Sequence, residues 1–305
     1  MLRLGMMAPF SDGLITSGGF LRDLAGTLEE CGVESLWTVE HIVIADSYEP
    51  LYPYSPDGRI PGASAAVPMP DPLETIAYLA GASDTLRFGT AMIVAPLHSP
   101  VTLAKRAATI DRHSRGRLML GLGIGWQKEE YAAVGVPCQD RGRRLEECVG
   151  AMRALWATGP ASYHGRHVSF DGLHSLPRPE SGAVPVVLGG NSDPAVRRAG
   201  RIGDGWFPYT IGPEDFARRT GLLREAARAA GRAEDAVEIT VWPGSFDRAR
   251  ESHPAWVSGF TDAGATRLVI APRIRGADGL TGPRGLAALR DQIDRFRTEV
   301  LEKLS

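Results

Sequence analysis

The sequence predicts an α/β fold of the TIM type, a closed (β/α)8 barrel with insertions after strand 2 and after helix 4. Three observations predict it. Short apolar runs alternate with longer amphipathic stretches along nearly the whole chain, eight such runs occur, and several are continuously apolar. Alternating strands and helices build βα units that feed a parallel sheet. Strands of such a sheet are covered on both faces and so lose the polar alternation of half-exposed strands. Eight repeats select closure over an open doubly wound sheet, and 305 residues suit a barrel with one core. A single domain over residues 1–305 is expected.

In chain order the predicted strands are residues 2–8, 35–39, 86–94, 118–122, 184–188, 205–207, 237–241 and 267–270. The sixth is short, whereas VPVVL at 184–188 and RLVI at 267–270 are the apolar runs expected of fully buried strands. The final helix carries Leu286, Leu289, Ile293, Phe296, Val300 and Leu304 at intervals of three and four, a stripe that should face the sheet. Leu145, Cys148, Val149, Met152, Leu155 and Trp156 do the same after the fourth strand. Asp71-Pro72 and Ser99-Pro100 read as capped helix starts with proline in the first turn. Two connections break the rhythm. Residues 42–70 are too long and too rich in Pro and Tyr for a plain connector, which suggests a lid or binding loop. Residues 159–183 form the other, where Tyr163, His164-Gly165-Arg166 and Val168 to Phe170 suggest a small hairpin.

Charge and cysteine content narrow the partners. A formal charge of −2 with acids and bases interspersed gives no footprint for nucleic acid or an anionic membrane. Cys31, Cys138 and Cys148 are odd in number and lack metal-ligand spacing, as expected in a reducing compartment. The first ten residues are too short an apolar stretch for a signal peptide or a membrane span. No later run is long enough to cross a bilayer, so a cytoplasmic location and a small-molecule substrate are expected. The seven histidines form no HxH or HExxH, so no metal site is predicted. A G-x-S-x-G elbow is also missing, which leaves acyl transfer without its nucleophile.

Chemistry in a (β/α)8 barrel sits where strands end and βα loops begin. Glu40-His41 closes the second strand, and a histidine there is either a proton donor or acceptor for a ligand or a group that only ties a loop. In the third strand, Gly89 and the following Pro96 suggest a departure from the regular ladder; the alternative is a core strand ended by a proline turn. Gly121, Gly123 and Gly125 remove side chains from three alternating positions, which lets a planar ligand or another backbone approach. Their spacing is wrong for a dinucleotide fingerprint. Gly189-Gly190 precedes Asn191, Ser192, Asp193 and Pro194, which open a helix. Bare N–H groups at such a terminus bind phosphate, and an ordinary capped turn is the competing reading. Gly205-Trp206 in the next strand would complete that pocket.

Taken together, SLWTVEH at 35–41, the stretch from RFGTAMIV to GLGIGWQKEEYAAVGV at 87–136, QDRGRRLEECVGAMRALW at 139–156 and VPVVLGGNSDPAVRRAGRIGDGW at 184–206 resemble the luciferase-like superfamily of flavin- and deazaflavin-dependent oxidoreductases. The resemblance covers residues 1–210 clearly and the rest loosely. It implies a barrel, often dimeric, with the coenzyme ring at the strand mouth. His41 matches the histidine beside the ring, and Ala91-Met92 matches a non-proline cis peptide behind it. Val94, Ile124 and Gly125 match further ring and tail contacts, and Gly189, Gly190 and Gly205 match the phosphate end. Glu40, Asn191 and Trp206 complete the expected coenzyme-binding set. GLGIGWQKEE and the 42–70 loop are most similar to the group that uses coenzyme F-420, an 8-hydroxy-5-deazaflavin, and FMN is the alternative. Hydride transfer to or from a small organic substrate is the implied reaction; a reduced-FMN monooxygenase and a flavin-binding barrel without turnover are the other readings. Trp126 stands where the sugar-phosphate dehydrogenases of this group carry glutamate, so an apolar, aromatic-lined substrate pocket is expected there.

Overall fold

The computed structural model describes residues 2–9, 13–60, 67–245, 247–272 and 283–304. All eight apolar runs are strands. They are β1 (Arg3–Met7), β2 (Ser35–Thr38), a third stave divided into β3 (Arg87–Thr90) and β4 (Ile93–Val94), and β5 (Leu118–Gly123). A two-stranded antiparallel hairpin follows, β6 (Ala161–His164) and β7 (Ser169–Leu173). The barrel resumes with β8 (Val186–Gly189), β9 (Gly205–Phe207), β10 (Glu238–Val241) and β11 (Arg267–Ile270). The order β3-β2-β1-β11-β10-β9-β8-β5 is closed by pairing of β3 with β5, and every barrel pair is parallel.

Helices α1 (Gly18–Glu30), α2 (Pro72–Ala80), α3 (Pro100–His113), α4 (Lys128–Ala133), α5 (Arg141–Trp156), α6 (Asp193–Ile202), α7 (Pro213–Ala229), α8 (Arg248–Glu251), α9 (Pro254–Asp262) and α10 (Pro283–Glu299) join the strands. The capped starts are present: Asp71 Oδ1 accepts from the N–H groups of Leu73 and Glu74, and Ser99 Oγ from that of Thr102. The α5 stripe is fully buried. On the α10 side Leu289, Ile293, Phe296 and Val300 are buried, with Leu286 and Leu304 packed against the same core. Among the described residues no helix is long and apolar enough to cross a membrane.

Two apolar layers result. One lies between sheet and helices; the other fills the barrel with Met7, Trp37, Met119, Val187, Phe207, Trp242 and Val269. Inward and outward residues alternate along each stave. Gly89 pairs regularly with Trp37 and gives its indole room, since a Cβ there would lie 2.3 Å from Trp37 Cε3. The break in the ladder comes two residues later, between β3 and β4, where the Ala91–Met92 peptide is cis. Across that break Thr90 Oγ1 donates to the Gly121 carbonyl at 2.7 Å and accepts from the Gly121 N–H at 2.8 Å, in place of ladder bonds. Gly121 is required by the closeness of the divided stave: a Cβ would lie 1.7 Å from the Thr90 carbonyl oxygen.

Candidate active site

The break in the third stave opens into a cavity of about 780 Å³ at the carboxyl ends of the strands. His41, Glu40, Ala91, Met92, Val94, Ile124, Gly125, Trp126, Gly189, Gly190 and Asn191, scattered over 150 residues of sequence, all line it.

Glu40 has its side chain 2% exposed. Its Oε2 accepts from the Val94 N–H at 2.7 Å, and His98 Nε2 lies 3.0 Å from Oε1. Both oxygens are engaged, so the carboxylate ties β4 to the end of β2 and fixes the cavity wall. His41 follows on the strand end, with Nδ1 3.2 Å from Glu130 Oε2. Glu130 is buried in α4, and its Oε1 accepts from the Ile42 N–H at 2.7 Å.

Neighbours of Glu130 clamp the same loop. The buried Gln127 amide, oriented to satisfy both groups, donates to the Val43 carbonyl and accepts from the Ala45 N–H. Glu129 accepts from the Glu49 N–H at 2.9 Å, and Lys128 Nζ lies 2.7 Å from Glu49 Oε2. Four consecutive residues, Gln127 to Glu130, thus pin the start of the connection after β2. Residues 61–66 of that connection lie outside the described residues.

The pinned segment brings rings over the mouth. Trp126 meets His41, Tyr48 and Tyr52 edge-on at centroid distances of 6.0, 5.1 and 5.3 Å. Tyr52 meets Tyr54, Tyr54 meets Tyr209 at 4.8 Å, and Tyr209 meets Trp242. The Tyr209–Trp242 pair is tilted, and the others are edge-to-face pairs that add about 0.5–1.5 kcal/mol each beyond area burial. Burial pushes the Tyr54 phenol up to about 12 and that of Tyr52 higher still. Both remain neutral hydroxyls at ordinary pH.

Elsewhere on the cavity wall the chain turns from β8 into α6. Gly190 has φ +110°, and Ser192, the N-cap of α6, makes no side-chain cap bond. The N–H groups of Asp193 and Ala195 are therefore available to an anion, whereas Pro194 has none. Arg141 and Arg219 line the same cavity. Arg219 is held by Asp193 at 3.0 Å and Asp215 at 2.9 Å. Arg141 contacts Cys138 Sγ at 3.4 Å and forms no ion pair among the described residues. Asn191 lines the cavity, but its amide is occupied: Oδ1 accepts from the Tyr209 N–H at 3.0 Å and Nδ2 donates to the Tyr209 carbonyl. It locks two βα loops together.

Gly205 and Trp206 do not line the cavity, contrary to the sequence expectation. Trp206 points outward, is fully buried against Phe216, and donates from Nε1 to the Gly190 carbonyl at 3.0 Å. Gly205 packs against Val187 in the barrel interior. Phe207, one position on, is the cavity residue. Inward and outward positions alternate on a strand, and three residues of β9 were too few to reveal which was which.

Sequence reasoning also missed Glu130, His98, Arg141 and the ring path through Tyr52, Tyr54 and Tyr209. A carboxylate pair in QKEE was visible as a signal for Glu130, but its partner is 89 residues away. No group of three or more His, Cys, Asp or Glu able to hold a metal occurs among the described residues.

Comparison with known proteins agrees with this architecture. The chain is 31% identical over 205 residues to an uncharacterized protein of Mycobacterium tuberculosis, covering 67% of this chain and 72% of that one. An F420-dependent glucose-6-phosphate dehydrogenase of Kineococcus radiotolerans is 29% identical over 73% of this chain and 62% of its own. An FMNH(2)-dependent dimethylsulfone monooxygenase of Pseudomonas putida is 31% identical over 51% and 44%. The fold is that of the coenzyme F420-dependent tetrahydromethanopterin reductase of Methanopyrus kandleri, with TM-score 0.73, 15% identity and coverage of 100% and 99%. Residues 3–258 match the family described as luciferase-like monooxygenase, and the chain belongs to that family.

Proposed function

We propose that this protein is an oxidoreductase that transfers hydride between coenzyme F-420 and a small, largely apolar organic substrate. The observation that carries the reading is the position of His41: one ring nitrogen is anchored on buried Glu130 while the ring itself lines the cavity beside the broken third stave. Hydride chemistry on a carbinol or carbonyl moves one proton as well, and a fixed imidazole is suited to exchange it. The bound deazaflavin would supply the hydride site at its C5.

The residues present fit such a group. Ala91, Met92, Val94 and Ile124 give an apolar wall for a flat ring system, and Gly125 keeps that wall shallow. The uncapped start of α6, with Arg141 and Arg219, suits a phosphate-bearing tail. Trp126, Tyr52 and Tyr54 give the substrate side apolar ring surface and neutral hydroxyls, which favours an uncharged substrate over a sugar phosphate. Reduced FMN with oxygen is the second reading, favoured by the dimethylsulfone monooxygenase relative; the longer match to the F420-dependent relative favours the first.

Fluorescence titration of the purified protein with FMN and with coenzyme F-420, each in both redox states, separates the two. Tight FMN binding without affinity for the deazaflavin would overturn the first reading. His41→Ala is expected to keep coenzyme affinity, because the anion-binding end is untouched, and to lose turnover by roughly 10²-fold or more.

A further inference from the structure

We infer that Glu130 is a positioning residue that sets the tautomer of His41, so that the neutral ring turns an acceptor nitrogen toward the ligand. The inference rests on the assignment of His41 to the reacting end of the cavity, but its geometry stands without any coenzyme.

Glu130 is 1% exposed, and its two oxygens divide their work: Oε1 takes the Ile42 N–H at 2.7 Å and Oε2 faces His41 Nδ1 at 3.2 Å. A carboxylate can only accept, so Nδ1 must carry a proton. In the neutral imidazole the other nitrogen, Nε2, is then a bare lone pair. Nε2 makes no hydrogen bond to the described residues, and the His41 and Trp126 rings meet in a T-shaped pair with centroids 6.0 Å apart. A ligand that meets Nε2 is therefore recognised through an O–H or N–H. For a carbinol, Nε2 would take the O–H proton as C–O becomes C=O, and a bound deazaflavin would supply the two-electron acceptor for the hydride released from the C–H bond. The site as built receives a hydroxyl-bearing substrate, and the reverse reaction starts from the doubly protonated ring.

Glu130→Gln tests this sharply, because the Ile42 N–H is a donor in every state. It must take the new amide oxygen, which turns the amide NH2 toward His41 Nδ1. Nδ1 then has to accept, and the proton moves to Nε2. One isosteric change should invert the tautomer, an outcome that a merely structural carboxylate would not produce.

The measurement is a long-range 15N–1H correlation spectrum of the coenzyme-free, histidine-labelled protein, followed over pH. The His41 signals are identified by their loss in His41→Gln. The expected result is an Nδ1–H tautomer for the neutral ring in the wild type and an Nε2–H tautomer in Glu130→Gln. A wild-type Nε2–H tautomer, a ring still doubly protonated at pH 9, or an unchanged tautomer in the variant would each overturn the inference. The wild-type spectrum is decisive by itself if the variant fails to fold. Failure of the deazaflavin reading shows instead in the binding titration, which this spectrum does not use.

Discussion

Replacing Thr90 by valine isolates the contact that joins the two sides of the broken stave. Thr90 is fully buried, and its hydroxyl alone serves both the N–H and the carbonyl of Gly121, at 2.8 and 2.7 Å. Valine has nearly the same shape and neither donates nor accepts. Two buried backbone groups lose their partner, at about 1–3 kcal/mol each, for a total of about 2–6 kcal/mol. A chain of this size loses roughly 2 °C of melting temperature per kcal/mol, so the midpoint should fall by roughly 4–12 °C. Thr90→Ser is the reference: it keeps the hydroxyl and removes one methyl, worth about 1 kcal/mol. Melting curves at one scan rate compare the three proteins. If the valine protein melts at or above the serine protein, the hydroxyl bridge does not hold the stave. The same change loosens Ala91 and Met92, so the valine protein should also bind coenzyme more weakly than the serine protein.

Gly125→Ala forces a side chain onto a residue at φ +61° and brings its Cβ within 2.7 Å of Val94 Cγ1. The left-handed backbone costs about 1–2 kcal/mol, and relief by moving Val94 disturbs the cavity wall; the coenzyme dissociation constant should rise roughly tenfold, equivalent to about 1.4 kcal/mol. Unchanged affinity in a fluorescence titration would place the coenzyme elsewhere. At the other end of the barrel, Glu29 accepts from the N–H groups of Asp84, Thr85 and Leu86 and from the hydroxyls of Ser83 and Thr85. Burial works to raise its pKa, but these bonds hold it down to about 2. Because the folded value lies below the ordinary one near 4.5, the stabilisation is complete above that value and is lost as pH falls toward 2. Melting temperature against pH should therefore drop more steeply over that window in the wild type than in Glu29→Gln, and parallel curves would contradict the role given to this carboxylate.

The strands were legible because each is a local apolar run, and eight of them close in only one economical way. The hairpin at 161–173 and the caps at Asp71 and Ser99 were legible for the same local reason. Gly121 illustrates the limit. Its side-chain absence was visible, but whether a ligand or a backbone needed the space was not, and the answer is the Thr90 carbonyl. Asn191 is similar: its place beside the glycine pair was readable, whereas the bonds that occupy its amide run to Tyr209.

By itself the sequence determined the barrel, the family and most of the strand-end positions that line the cavity, because periodicity and ordered motifs are properties of short stretches. It determined His41 as a strand-mouth histidine. Only the tertiary structure decided what that histidine touches, that Glu40 braces β4 from within the cavity wall, and that Phe207 rather than Trp206 lines the cavity. Those facts depend on the strand's rotation in the barrel and on hydrogen bonds between groups tens of residues apart, and neither leaves a mark in local sequence.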